Sequence, residues 1–123
     1  MNEKVLLVDD EKEFVETLAE RLRNRGMAVS ATDSPLEALG KAEKESYDAV
    51  VLDLMMPEMD GIETLARMKK HNPDLQVILL TGQATVEKGV EAMKCGAMDF
   101  LEKPIDLKVL AEKIKKAHVR KRS

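Results

Sequence analysis

Five short apolar runs alternate with five stretches of helical periodicity along 123 residues, and this alternation restricts the chain to a parallel sheet wrapped by helices. Lys4 to Val8 (KVLLV) is the first run. Phe14, Leu18 and Leu22, with Val15 and Ala19 beside them, then recur at helical spacing as far as Gly26. Met27 to Ala31 gives a weaker second strand. Asp33 or Ser34 can cap the helix that follows, with Pro35 in its first turn and Leu36, Leu39 and Ala42 on its inner face. Ala49 to Leu52 (AVVL) is apolar without interruption, as expected of a strand covered on both faces. Pro57 and the Asp60-Gly61 pair make 53–61 a loop, after which Ile62, Leu65 and Met68 form a stripe that ends at His71-Asn72-Pro73.

Gln76 to Leu80 (QVILL) is the fourth strand, and Val86, Val90 and Met93 mark a helix stopping near Gly96. Gly89 lies inside that helix, at a cost of about 1 kcal/mol relative to alanine, so it is expected to be the least firmly held of the five. Asp99 to Leu101 is the fifth strand. Ile105, Leu107, Leu110, Ala111 and Ile114 line a last helix that runs into a basic stretch ending at Arg122. Short connections between alternating units imply right-handed crossovers, and the strand order 2-1-3-4-5 of a flavodoxin-like, doubly wound α/β fold follows.

The chain has the length of one domain, placed at 1–118, with 119–123 as a basic tail or the start of a linker. Its core must be aliphatic, because Phe14, Tyr47 and Phe100 are the only aromatics. A net charge of -3 argues against nucleic-acid binding by this domain. No apolar run approaches the roughly 20 residues of a membrane span and no leader pattern is present, so a cytoplasmic protein is expected. The single Cys95 is expected to pack rather than react. No output domain follows the last helix, leaving either a stand-alone protein or a piece of a longer one.

In such a sheet, ligands bind beyond the carboxyl ends of the strands. Asp9 and Asp10, Asp53, Thr81 and Lys103 each follow one of the apolar runs, so they converge on one edge. Taken singly, each has an ordinary explanation as a helix cap, a turn residue or a solvated charge; together they form a site. Clustered carboxylates must either take up a proton or bind a cation, and oxygen-only ligands select a hard ion such as Mg²⁺, with Mn²⁺ the alternative. Asp10 and Asp53 are the expected direct ligands, with Asp9 acting through water and a backbone carbonyl near Met55 completing the set. An aspartate in this position can act as a nucleophile toward phosphorus, with the Lys103 ammonium neutralising charge on the transferring oxygens.

VLLVDD at the first strand, VVLDLMMPEMDG around the third, LLTG at the fourth and DFLEKP at the fifth resemble the receiver domain of two-component response regulators over essentially the whole chain. The resemblance implies that Asp53 is the phosphoacceptor, served by a sensor histidine kinase or phosphotransfer protein. It implies that Asp9 and Asp10 bind Mg²⁺, that Thr81 is the switch hydroxyl, that Lys103 contacts the phosphoryl group and that Lys103-Pro104 is cis. It also makes Phe100 the aromatic that turns inward when Thr81 moves, altering the surface of the fourth helix, fifth strand and fifth helix, where dimerisation or docking to a downstream output occurs. Met55 and Gln83 fall at positions that tune the phosphoryl lifetime; an apolar thioether at 55 implies slow to moderate self-dephosphorylation. An aspartyl-phosphate phosphatase of the haloacid-dehalogenase type would want a second aspartate where Met55 stands. A flavin carrier would want a hydroxyl-rich first loop and more aromatics, and a phosphorylation-independent docking module would not need the complete set of site residues.

Overall fold

The computed structural model describes residues 2–54, 56, 59–82 and 86–122, the side chains of Val86, Lys121 and Arg122 excepted. The strands are β1 (Lys4–Val8), β2 (Ala28–Thr32), β3 (Ala49–Asp53), β4 (Val77–Thr81) and β5 (Asp99–Glu102). Between and after them lie α1 (Lys12–Asn24), α2 (Pro35–Lys44), α3 (Gly61–His71), α4 (Val86–Lys94) and α5 (Leu107–Arg122). All strand pairs are parallel and the order is β2-β1-β3-β4-β5, the flavodoxin-like arrangement expected.

The strand alternation divides the interior into two aliphatic layers. Leu6, Val8, Val50, Leu52, Val77 and Leu79 point to one face, under Ala38 of α2, Leu65 and Met68 of α3 and Ala92 of α4. Val5, Leu7, Val51, Ile78 and Leu80 point to the other, under Val15, Leu18 and Leu22 of α1 and Leu110, Ile114 and Ala117 of α5. Every residue of β3 and β4 is buried, whereas β2 and β5, at the edges, are partly open. Central strands covered on both faces have no polar side to alternate with, which is why their sequences read as unbroken apolar runs.

The starts of α2 and α3 are set by side chains. The Ser34 hydroxyl accepts from Glu37 N–H, so Ser34 rather than Asp33 caps α2, and Asp60 accepts from Ile62 N–H at the start of α3. Gly26 closes the turn after α1 with a φ of 91°, a left-handed conformation that costs glycine nothing. α5 runs without a break through position 118 to Arg122. Cys95 is half-buried against the first core layer, in keeping with a packing role.

Three strands end one residue later than the apolar pattern indicates: β3 includes Asp53, β4 includes Thr81 and β5 includes Glu102. β2 lies one residue further along, ending at Thr32. The ladder registers Asp53 against Leu80 and Thr81 against Glu102, so backbone pairing continues past the point where side chains turn polar. This shift matters for the site, because it mounts two of its side chains on the sheet itself.

Candidate functional site

β1 and β3 are neighbours, which brings Asp9 and Asp10, immediately after β1, beside Asp53 at the end of β3. One carboxylate oxygen from each of the three lies within 4.8 Å of the others. Asp9 and Asp53 are buried and Asp10 is exposed, so the cluster is rooted in the sheet and open on one side. Backbone bonds hold the rim: Asp9 N–H donates to Thr32 O at 3.2 Å, Leu54 N–H to Leu80 O at 2.7 Å and Lys103 N–H to Thr81 O at 2.7 Å. Thr81, fully buried, closes the row on the β4 side.

Lys103 reaches back over this edge. Its ammonium donates to Asp9 Oδ2 at 2.8 Å and to Glu11 Oε1 at 2.9 Å, and lies 3.9 Å from Asp53 Oδ2. The Phe14 ring centroid is 4.4 Å from the same nitrogen, within cation–π range. Burial alone would push the Lys103 pKa below its ordinary 10.5, but the hydrogen bonds to Asp9 and Glu11 and the charges of Asp9 and Asp53 outweigh it and hold the group above that value. The amine is therefore a fixed positive charge at neutral pH. The Lys103-Pro104 peptide is cis, as the resemblance implied.

The loop after β3 is pinned by α3. Gly61 N–H donates to Leu54 O at 2.9 Å, and a Cβ at Gly61 would stand 2.5 Å from Leu54 Cα and 2.8 Å from Asp53 O. Only glycine permits that approach, so the start of α3 braces the backbone that carries Asp53. Met56 and Met59 are buried, Met56 within the first core layer. Met55 and Gln83, and with them the expected carbonyl ligand and both tuning positions, lie outside the described residues. Phe100 is half-buried on β5, and a Cβ on Gly89 of α4 would meet its ring at 3.6 Å.

The sequence thus located Asp9, Asp10, Asp53, Thr81 and Lys103, and the structure brings them to one edge. It missed Glu11 and Phe14, which complete the surroundings of the Lys103 amine, and Gly61. Glu11 directly follows the aspartate pair and Phe14 comes one helical turn later, so proximity to the motif was the available signal.

An oxygen-only set of three carboxylates around a partly open crevice fits a hard divalent cation, which prefers such donors and retains water at its remaining positions. Fold and site together define a class: flavodoxin-like α/β domains with an acidic pocket at the strand switch point. Residues 5–115 match the response regulator receiver domain, and the chain belongs to that family. It is 39% identical over 116 residues to the transcriptional regulatory protein ZraR of Escherichia coli K12, an alignment covering 94% of this chain and 26% of that protein. The chain thus spans about a quarter of the length of that curated relative. Among solved structures it is similar to a Burkholderia pseudomallei response regulator with a phosphorylated aspartic acid, calcium ion and citrate (30% identity, TM-score 0.84, 94% of this chain and 72% of that one). It is also similar to the beryllofluoride-activated NtrC4 receiver domain dimer (34% identity, TM-score 0.90, 96% and 98%). As a receiver domain it is a signalling module of two-component systems rather than a classical enzyme. Among the described residues no helix is long and apolar enough to cross a membrane.

Proposed function

We propose that Asp53 is the phosphoacceptor, that it takes its phosphoryl group from a phosphohistidine of a sensor kinase or phosphotransfer protein, and that the result is read from the surface of α4, β5 and α5. The observation that carries this reading is the convergence of Asp9, Asp10 and Asp53 within 4.8 Å, with the Lys103 amine 3.9 Å from Asp53. A carboxylate oxygen of Asp53 forms the new O–P bond as the N–P bond of the donor breaks, and the departing imidazole keeps the electron pair and takes up a proton. Lys103 offers positive charge to the phosphoryl oxygens, and the buried Thr81 hydroxyl donates to one of them once they are present. Asp9, Asp10 and Asp53 would hold Mg²⁺, or Mn²⁺ in its place, with the Met55 carbonyl. When bound, such an ion neutralises negative charge on the transferring group.

The added phosphoryl charge draws Thr81 toward Asp53, and Phe100 turns into the space released. The Phe100 ring lies where a Cβ on Gly89 would meet it at 3.6 Å, which gives this movement a short path to α4. Met55 and Gln83 set how long the phosphoryl group survives, and an apolar residue at 55 favours slow to moderate self-dephosphorylation. The downstream partner is an output domain or protein, in the cytoplasm, and the phosphorylated chain associates as a homodimer. With Mg²⁺ and acetyl phosphate, the wild-type chain should gain one acid-stable, hydroxylamine-labile phosphoryl group by intact-mass spectrometry. Asp53→Asn should gain none, and undiminished labelling of that variant would refute the assignment.

A further inference from the structure

We propose that Glu11 is a positioning residue that restrains phosphoryl transfer by competing with the incoming phosphoryl oxygens for the Lys103 ammonium, an inference that rests on Asp53 being the acceptor. An ammonium has three N–H donors. Here Asp9 accepts at 2.8 Å and Glu11 at 2.9 Å, while Asp53 Oδ2, at 3.9 Å, is beyond hydrogen-bond length. The Phe14 ring covers a further side of the amine.

The two acceptors differ in kind. Asp9 is buried and accepts Glu11 N–H on its other oxygen at 2.9 Å, so it is a fixed anchor for the lysine. Glu11 is 64% exposed in its side chain and occupies the N-cap position of α1, yet makes no side-chain cap hydrogen bond. Its carboxylate therefore bonds the lysine instead of its own helix. To meet phosphoryl oxygens on Asp53, Lys103 keeps Asp9 and exchanges Glu11. A solvent-exposed carboxylate can release the amine without leaving a buried charge behind, which makes Glu11 the partner that is given up.

The test compares initial rates of Asp53 phosphorylation by acetyl phosphate and by phosphoramidate, in Mg²⁺, for wild type, Glu11→Gln, Glu13→Gln, Lys103→Gln and the double variant Glu11→Gln/Lys103→Gln. Glu11→Gln should react about two- to fivefold faster than wild type, the range expected for losing an exposed ion pair. Glu13→Gln removes a neighbouring exposed charge that lies on the same helix, and should leave the rate unchanged. In the Lys103→Gln background, Glu11→Gln should have no effect, because the competition it relieves no longer exists. A slower or unchanged Glu11→Gln variant overturns the inference, as does an equal acceleration by Glu13→Gln or an undiminished effect without the lysine. Failure of the wild type itself to label at Asp53 would instead refute the assignment of the acceptor, and this inference with it.

Discussion

At the scale of single residues, the site depends on small groups as much as on charged ones. Gly61 is buried against the backbone of Asp53 and Leu54, with main-chain atoms less than 3 Å from where a Cβ would sit. Gly61→Ala must therefore push α3 away from the loop, and should cost about 1–3 kcal/mol in urea unfolding. It should also slow labelling of Asp53, because the displaced atoms belong to that residue's own peptide. The charged members of the site were legible in the sequence because each follows an apolar run, and that position has one meaning in a parallel sheet. Gly61 was legible only as part of a turn. Its approach to Leu54 depends on how α3 seats on the sheet, and no local pattern encodes that seating. Glu11 escaped notice for a related reason: nothing in its spacing tells which cation, ninety-two positions away, it will meet.

At the scale of elements, α4 and α5 are fastened to β5 in different ways. Gly89 of α4 has an ordinary helical backbone, and a methyl group there would touch the Phe100 ring at normal contact distance. Gly89→Ala should stabilise the protein by about 0.5–1 kcal/mol. Scanning calorimetry should register a rise of a few degrees. By holding Phe100 and α4 together, the same change should reduce the shift in α4 amide resonances that phosphorylation produces.

α5 is tied by an ion pair between Lys113 and Asp99. Burial raises the Asp99 pKa, but the Lys113 contact and the Phe100 N–H outweigh it and leave the group below its ordinary 3.8. A carboxyl lowered on folding contributes stability above pH 3.8, and that contribution is lost as pH falls through its folded value. Denaturation midpoints of wild type and Asp99→Asn should therefore differ at pH 6 and converge below pH 3.8. Persistent separation in acid would assign the stabilising effect to something other than the ion pair. The five helices and five strands were readable from periodicity; the errors were single-residue offsets at strand ends, Leu36, expected on the inner face of α2 but 58% exposed because it sits in the first turn beyond the sheet's cover, and Ile105, which precedes α5. At the strand ends, hydrogen bonding continued for one residue after hydrophobicity had stopped.

At the scale of the whole molecule, two aliphatic layers flank one sheet, and the acidic pocket lies at its edge rather than within either layer. The apolar side chains Val90 and Met93 of α4 and Val109 of α5 are exposed. If the phosphorylated chain dimerises through these helices, Met93→Asp should abolish the increase in mass seen by light scattering after beryllofluoride treatment. The same variant should label at Asp53 at the wild-type rate. The fold order was readable because alternating units and right-handed crossovers leave few arrangements. The faces that partners use were not, because surface helices satisfy the same periodicity whatever they contact.

The late strand ends have a further consequence. With Asp53 and Thr81 seated on rungs of the ladder and Lys103 tethered by its amide to the Thr81 carbonyl, the reactive groups are borne by the sheet's own main chain, braced by the buried start of α3, and not by the solvent-facing sides of the helices. A lineage can therefore rewrite whom such a protein speaks to, by repainting its outer helices, while the chemistry it speaks with stays intact.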